Sequence, residues 1–260
     1  MTTLTCARVA GRGTWGARPA AWLDARGSCT TELVNPGISA LAWSRASPLG
    51  RAVLAASAEV LDQRPDLDRQ TLPMVWVTGF GELRATEGFL VGLAKRGRGR
   101  PRSFRDSVHN TAASLVSLHL GLQGAVETVV PAGGGAATAL MRAESLVQRH
   151  GACLLVGGDD GAPCADALAG KPLPLCVGAA LVEADGDGLH LDLTFPSTPP
   201  RPVGRAVWAV DDAPPPEGCP VWLGGPASGL PGLVACIDAG GGQVVERSGR
   251  AWMVSTARAR

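Results

Sequence analysis

Three strand-length segments, separated from one another by stretches with helical periodicity, constrain the fold of this chain most strongly. They are Met74–Thr78, Val126–Val130 and Ala152–Val156, and each consists largely of apolar or β-branched residues. A short run of this kind is typical of a strand in a sheet whose faces are covered by helices. Strands that alternate with helices predict a layered α/β architecture with a mixed sheet.

The segments around these strands have the periodicity of amphipathic helices. Apolar residues recur at intervals of three and four positions, which gives each segment one apolar face. Ser47 is a residue type that caps helix N-termini, and Gly121 and Gly151 are of the type that ends helices. The predicted helices are Pro48–Leu61, Glu87–Lys95, Ser107–Leu120 and Ala136–Gln148.

Turn-forming residues divide the remainder of the first 195 residues. Leu4–Val9 predicts an entry strand. The loop predicted after it is marked by Gly11, Gly13, Gly16 and Pro19 and carries Trp15 and Trp22. The run Gly-Gly-Asp-Asp-Gly at 157–161 predicts a turn that ends the third strand. Leu175–Glu183 and Leu189–Leu193, joined by an Asp-Gly-rich turn, predict an antiparallel hairpin. We expect residues 1–195 to form one domain with a mixed five-stranded sheet.

The chain changes character after Phe195. Proline-rich connectors there surround one short predicted strand, Ala206–Val210. We expect residues 196–260 to form a Pro/Gly-rich extension that packs on the same domain.

Composition excludes several classes of function. A formal net charge of +1 over 260 residues gives no global basic footprint for nucleic acid or an anionic membrane. The seven cysteines show no Cys-x-x-Cys pair and no histidine at metal-ligand spacing, so we expect free thiols, no metal and no cofactor. No apolar run is long enough to cross a membrane or to serve as a signal peptide, so we expect a cytoplasmic protein without membrane insertion.

The segment from Phe104 to Asp160 carries the most specific pattern in the chain. A helix with a Ser/Asn-containing turn leads to a Gly-Leu-x-Gly turn, a strand, a helix, and a strand that ends in Gly-Gly. In this order the segment resembles the β-ketoacyl synthase family, and residues 74–90 are similar to it more loosely. The resemblance implies a thiolase-like fold, of which this chain corresponds to the N-terminal half. The matching positions are Ser107, Asn110, Gly121, Leu122, Gly124, Gly157 and Gly158.

Glycine occupies the position of that family's nucleophile. Counted without gaps from the Gly121–Gly124 turn, the family's Thr-Ala-Cys motif falls on Pro131, Ala132 and Gly133. In the family, a thiolate at the start of the next helix accepts an acyl chain as a thioester, and the helix dipole and free amides lower its pKa. Glycine cannot form a thioester, and no pattern here matches the family's two catalytic histidines, which belong to its second half. We therefore predict a subunit with no catalytic residue of its own.

A short relative without the cysteine is similar to the chain length factors that pair with active ketosynthases, above all the truncated type of aryl polyene and related pigment clusters. The resemblance implies a heterodimer with a cysteine-bearing ketosynthase in fatty-acid or polyketide-type polyene biosynthesis. It places the dimer interface on the strand of Val126, Glu127, Thr128, Val129 and Val130. It places the end of the partner's acyl tunnel near Ser107, His109, Asn110, Ala132 and Gly133.

A basic segment, Lys95–Arg102 (KRGRGRPR), stands out from the neutral background. It is a phosphate-binding arm, a solvated loop, or a docking site for an acidic acyl carrier protein. The loop is favoured over the phosphate arm because no aromatic residues interleave with the basic ones. In the docking interpretation, Arg96, Arg98 and Arg100 attract the carrier protein by long-range steering. Two alternatives to the chain length factor therefore stay open: a carrier-protein docking scaffold, and an acyltransferase that uses a different nucleophile.

Several other residues have a structural interpretation beside a functional one. His109 is either a tunnel residue or a helix-start residue that is hydrogen-bonded locally. His119 is favoured as a core residue, and His150 as a cation that suits a helix C-terminus. Asp159–Asp160 is favoured as a turn rather than a metal or acid pair. The run Gly133–Gly135 opens a helix as a phosphate-cradling loop does, but it lacks the lysine and the full glycine pattern of a nucleotide site.

Overall fold

The structure is a computed structural model of the chain. It describes residues 3–16, 33, 35–164, 167, 175–184, 189–201, 206–209, 229–238, 241–248 and 250–258. The strands are β1 (Thr3–Gly16), β2 (Met74–Val77), β3 (Val126–Val129), β4 (Ala152–Asp159), β5 (Cys176–Glu183), β6 (His190–Thr194), β7 (Ala206–Ala209), β8 (Gly242–Ser248) and β9 (Ala251–Arg258). The helices are α1 (Ala40–Arg45), α2 (Pro48–Asp62), α3 (Leu83–Arg96), α4 (Pro101–Arg105), α5 (Thr111–Leu120), α6 (Gly135–His150) and α7 (Gly229–Asp238).

The strands of the described residues form one mixed sheet in the order β3-β2-β4-β5-β1-β6-β9-β8-β7. β2 is parallel to β3 and β4, whereas β1 is antiparallel to β5 and β6. The predicted α/β class with a mixed sheet is confirmed. The predicted number of five strands for residues 1–195 is wrong, because the described residues form a sheet of nine strands, of which six come from residues 1–195. The other three, β7 to β9, come from the segment after residue 196 and join the sheet where β9 pairs with β6.

Helices cover both faces of the sheet, and β2 shows how. Its successive side chains point to opposite faces, and all four are buried. Val75 and Val77 contribute to a core that includes residues of α6 and α7, whereas Met74 and Trp76 contribute to a core that includes residues of α2 and α5. Burial on both faces explains why the segment is apolar without alternation, as the sequence predicts.

Capping signals in the sequence predict the start of α2 and the end of α6. Ser47 Oγ accepts a hydrogen bond from the Gly50 amide at 2.8 Å, which caps the N-terminus of α2. Gly151 has a left-handed backbone conformation and donates its amide hydrogen to Val147, which ends α6.

Helix α5 begins four residues later than predicted, at Thr111. The preceding residues are held by the short helix α4 instead. Ser107 Oγ donates to the Phe104 carbonyl at 2.7 Å, and Thr111 Oγ1 donates to the Arg105 carbonyl at 2.8 Å. These side-chain bonds to the backbone compete with an earlier start of the helix.

Strand β1 differs most from the prediction. The expected glycine loop at 11–16 is the second half of β1, and Trp22 lies outside the described residues. β1 pairs with β6 through Thr3–Arg8 and with β5 through Arg8–Gly16. Because β1 lies between β5 and β6, the predicted hairpin of those two strands is wrong. Ladder bonds to distant segments keep these glycines extended, and local turn propensity does not reveal such partners.

The turn predicted at 157–161 begins later, because β4 continues through Asp159. β4 lies between β2 and β5 and pairs with both. A Cβ added to Gly157 would lie 2.7 Å from the Leu230 side chain of α7. Glycine at 157 therefore meets a packing requirement rather than a turn requirement.

The described part of the segment after residue 196 belongs to the same sheet as the rest of the chain. The boundary between residues 195 and 196 stays a prediction. Within the described residues, no helix combines the length and apolar character needed to cross a membrane.

Candidate functional site

The turn between β3 and α6 contains the position that the family resemblance assigns to a nucleophile. β3 ends at Val129 and α6 begins at Gly135. Gly133 stands at the predicted position, and Gly134 has φ 73° and ψ 47°, a left-handed conformation that favours glycine. This strand, turn and helix have the geometry that would hold a reactive side chain at a helix N-terminus, but residue 133 has no side chain.

Strands β8 and β9 pack directly against this turn. A Cβ added to Gly133 would lie 2.5 Å from the backbone carbonyl oxygen of Arg247 on β8. A Cβ added to Gly134 would lie 2.5 Å from Met253 Cε on β9. The methionine side chain can move aside, whereas the Arg247 carbonyl moves only with its strand. The packing around the turn is therefore matched to glycine at position 133.

The side chain of Glu246, on β8, occupies the N-terminus of α6. Its Oε1 accepts a hydrogen bond from the Ala136 amide at 3.0 Å, and its Oε2 accepts one from the Ala137 amide at 2.9 Å. Burial raises the pKa of this carboxyl group to about 7, although hydrogen bonds from these amides and that of Gly135 oppose the rise. Sequence analysis missed Glu246 because Ala136 lies 110 residues away and one acid within a strand forms no motif.

Strand β3 forms one edge of the sheet. The Val129 carbonyl accepts a hydrogen bond from the Thr78 amide at 3.0 Å, so the backbone groups of Val129 face β2. Successive residues of a strand alternate in the direction of these groups. The amide and carbonyl groups of Val126 and Thr128 therefore point away from β2, towards the open edge.

Exposed apolar side chains surround this edge. Leu118 on α5 is 75% exposed, and Val130, just after β3, is 53% exposed. Val126 and Met141 are each 39% exposed. An open groove of about 450 Å³ runs between α5 and β3, with Leu118 and Thr128 among its walls. An open strand edge within apolar surroundings is typical of a protein interface.

Comparison with protein families identifies this arrangement. The family model described as "Beta-ketoacyl synthase, N-terminal domain" matches residues 14–205, which include the turn at Gly133 and the edge strand. The match covers well over half of the chain. The chain belongs to the β-ketoacyl synthase N-terminal domain family.

Solved structures with the same fold are ketosynthase assemblies. A chain of the complex between a ketosynthase (ApeO) and its chain length factor (ApeC) from Xenorhabdus doucetiae matches with a TM-score of 0.67 and 17% identity, over 97% of this chain and 99% of that chain. A chain of the ishigamide ketosynthase/chain length factor matches with a TM-score of 0.69 and 17% identity, over 98% and 99%. A chain of AntDE:AntF, a type II polyketide synthase acyl-carrier protein in complex with its ketosynthase, matches with a TM-score of 0.68 and 12% identity, over 98% and 100%.

These matches show that this member of the family has the thiolase-like fold of ketosynthase and chain length factor subunits. The predicted family and fold are confirmed. No curated protein matches the chain in sequence.

Two described cysteines of this family member have pKa shifts opposite to that of a nucleophilic thiol. Burial raises the pKa of Cys153 on β4 to about 12, and burial also raises the pKa of Cys176 on β5. A nucleophilic cysteine needs the opposite shift. Cys236 on α7 is buried, and Cys164 is exposed beyond the end of β4. The other three cysteines have no described side chain.

The predicted tunnel residues have different surroundings. Ser107 is half-buried, and its carbonyl accepts a hydrogen bond from Thr86 Oγ1 at 2.9 Å. His109 is exposed, and its carbonyl accepts a hydrogen bond from Trp76 Nε1 at 2.9 Å, so its backbone is held by a residue distant in sequence. Asn110 is exposed at the start of α5.

Asn110 connects two cavities of this ketosynthase-like domain. It lines the groove beside β3 and also a cavity of about 480 Å³ between α1, α4 and α5. His119 lines the second cavity and is half-buried. Ala132 and Gly133 line neither of these two cavities. The tunnel assignment of the five residues therefore stays a prediction.

The basic segment of this family member lies on the surface. Arg96 ends α3, and Arg98 and Arg100 follow it in exposed positions before α4. Within the described part of the chain, none of these three arginines forms an ion pair. Exposed apolar side chains lie on the same two helices, including Leu90 and Phe104.

Asp159 and Asp160 have structural partners. Asp159 Oδ1 accepts hydrogen bonds from Thr78 Oγ1 and from the Gly79 and Phe80 amides, each at 2.8 Å, which caps the turn after β2. Asp160 forms an ion pair with Arg84 at 3.3 Å. Among the described residues, no group of three or more potential ligands is placed to hold a metal ion.

Glu82, which sequence analysis did not single out, is buried beside this turn. Ser47 Oγ donates to its carboxylate at 2.8 Å. The pKa of Glu82 is raised to about 7, chiefly by burial and in smaller part by the charges of Asp160 and Asp106. Glu82 joins the start of α3 to the capped start of α2, and its surroundings give it a structural role.

Proposed function

We propose that the chain is a non-catalytic ketosynthase-like subunit, a chain length factor, that pairs with an active β-ketoacyl synthase in fatty-acid or polyketide-type polyene biosynthesis. One observation carries the proposal: residue 133 has no side chain, and the amides that would stabilise a thiolate there already bind Glu246. In this proposal, a subunit with this turn supplies the dimer interface and the end wall of the acyl tunnel, while the nucleophilic thiolate belongs to its partner. We place this heterodimer in the cytoplasm.

The interface of the proposed heterodimer is the edge of β3. Val126 and Thr128 present free backbone positions there, Glu127 and Val129 complete the strand, and Val130 follows it. A strand of the partner that pairs with this edge continues the sheet across both subunits. Leu118 and Met141 lie on the flanking helices, where the partner would cover their exposed apolar surface.

The partner's acyl tunnel, in this proposal, ends beside the groove next to the interface. Asn110 supports this placement because it lines the groove between α5 and β3. Ser107 and His109 precede Asn110, and Ala132 and Gly133 follow the edge strand. The size of the side chains at this end of the tunnel would set the length of the longest product chain.

Co-purification with a cysteine-bearing ketosynthase encoded beside this chain tests the proposal. We expect the untagged chain to co-elute with the tagged ketosynthase at a one-to-one ratio. Leu118→Glu should reduce the yield of complex at least tenfold, because it places a charge in the interface. The matched control, Leu90→Glu, alters a leucine that is 54% exposed on α3 and should leave the yield unchanged. A stable monomer that ignores the ketosynthase would contradict the proposal.

A second candidate function, docking of an acyl carrier protein, is favoured by the exposed arginines of the basic segment. Carrier proteins are strongly acidic, and Arg96, Arg98 and Arg100 are exposed together. Reversing all three charges to glutamate should weaken carrier-protein binding about tenfold or more at low salt, and less at high salt. The matched control reverses Arg45, Arg149 and Arg250, which are exposed elsewhere. Equal affinities of the two triple variants would exclude this docking site.

The third candidate, an acyltransferase with a different nucleophile, predicts a covalent acyl adduct on this chain. The raised pKa values of Cys153 and Cys176 argue against these two thiols. Mass spectrometry of the intact chain after incubation with an acyl carrier protein thioester distinguishes this candidate from the other two.

A further inference from the structure

The position of Glu246 is determined by the sheet as well as by α6. Its strand β8 pairs with β7 on one side and β9 on the other, so its backbone is fixed. From there the side chain reaches the first turn of α6, where its two oxygens bind two different amides. The residue is only 1% exposed. Because both its backbone and its two side-chain oxygens are bound, Glu246 has little freedom to leave the site.

Two glycines shape the space around this carboxylate. A Cβ added to Gly229, the first residue of α7, would collide with the carboxylate of Glu246. A Cβ added to Gly133 would collide with the backbone of Arg247, the residue that follows Glu246. The carboxyl group of Glu246 is therefore closely packed between α6, α7 and β8.

The carboxyl group of Glu246 is bound by amides rather than by a cation. No described basic side chain forms an ion pair with Glu246. The first turn of α6 carries unpaired amides and the positive end of the helix dipole, both of which favour an anion. Glu246 satisfies amides that would otherwise be buried without partners. These are the same amides that would lower the pKa of a thiolate at position 133.

We propose that the carboxyl group of Glu246 is a built-in ligand that closes, from within, the position that corresponds to the family's acyl-accepting site. The site is then inactive for two separate reasons, because it lacks a thiol and because its anion-stabilising amides bind an internal carboxylate. This inference rests on family membership and geometry, and it holds whether or not the chain pairs with a ketosynthase. It predicts that removing the carboxylate creates a site for a small carboxylate ion.

Rescue by acetate tests this prediction on the full chain in the assembly in which it purifies. Glu246→Ala removes a group with the size and shape of acetate, so acetate should bind to the amides in the space left behind. We expect the thermal midpoint of this variant to fall below that of the unaltered chain. Sodium acetate, compared with sodium chloride at equal concentration, should then raise it saturably by about 2–4 °C.

The matched control is Glu183→Ala, which removes a half-buried carboxylate that pairs with Arg64 at the end of β5, away from any helix N-terminus. Acetate should not raise the midpoint of this control or of the unaltered chain. If acetate has the same effect on all three proteins, or none on Glu246→Ala, the proposal is wrong.

A second variant covers the case in which Glu246→Ala does not fold. Glu246→Gln keeps the volume but turns a donor towards one of the two amides. We expect amide hydrogen exchange in a peptide spanning 134–140 to accelerate about tenfold or more, because a bonded amide loses its acceptor. Unchanged exchange would show that the carboxylate does not hold this end of α6.

Discussion

At the residue scale, the backbone of Arg247 leaves no room for a side chain at position 133. Gly133→Cys would restore the family's nucleophile in sequence, but its Cβ would lie 2.5 Å from the Arg247 carbonyl. We expect it to lower the free energy of unfolding by about 2 kcal/mol, measured by urea denaturation. The control is Gly88→Cys on α3, where an added Cβ meets no atom within 4 Å. If both variants unfold at the same urea concentration, the packing account of Gly133 is wrong.

Two buried glutamates make stability depend on pH. The pKa values of Glu82 and Glu246 are raised from 4.5 to about 7, chiefly by burial. A group with a higher pKa in the folded than in the unfolded chain holds its proton more tightly when folded. Its stabilising contribution is therefore complete below about pH 4.5 and is lost as the pH rises to about 7.

We expect Glu246 alone to account for a loss on the order of 2–3 kcal/mol in the free energy of unfolding between about pH 5 and about pH 8. Glu246→Gln has no proton to release, so its stability should fall less over this range. Denaturant titrations at several pH values measure the difference between the two profiles. Parallel profiles would mean that Glu246 does not titrate in the folded chain.

The sequence predicts the position of Gly133 in the site but not that of Glu246. An ungapped count from a turn of the family pattern predicts Gly133, because turn, strand and helix follow each other along the chain. Glu246 is not predictable in this way, because its partners on α6 are distant in sequence and meet it only in the fold.

At the scale of elements, β3 pairs with β2 along one edge and leaves its other edge open. Thr128→Pro should leave the subunit folded, because the Thr128 amide points outward and forms no ladder bond with β2. It should abolish pairing with the ketosynthase, because proline offers no donor at the interface. Size-exclusion chromatography of the mixed subunits measures both properties.

Glu127→Pro is the informative control for this prediction. The Glu127 amide points towards β2, so proline at this position removes a ladder bond inside the subunit. We expect the control to lower the stability of the subunit itself. A Thr128→Pro variant that still forms the complex would show that the partner does not pair with this edge.

Helices and strands that the sequence marks with a local signal, such as a capping residue or a short apolar run, agree closely with the prediction. α2 has its cap at Ser47, and β2 is a short apolar run that is buried on both faces. The hairpin of β5 and β6 fails, because the N-terminal strand β1 lies between them. Register between distant strands depends on partners that no window of the sequence contains.

At the scale of the whole molecule, the segment after residue 196 has a structural role that composition concealed. Its proline-rich connectors suggest an appendage, yet β7, β8 and β9 extend the sheet. β8 also brings Glu246 and the Arg247 carbonyl to the turn at Gly133. The same strand therefore enlarges the sheet and, in our proposal, closes the site that the family uses for catalysis.

The central claim is that this subunit carries no acyl group while its partner does. The most direct test is intact mass spectrometry of both subunits of the purified complex after incubation with an acyl carrier protein thioester. We predict an acyl adduct on the cysteine-bearing ketosynthase and an unchanged mass for this chain. An acyl adduct on this chain would contradict the account.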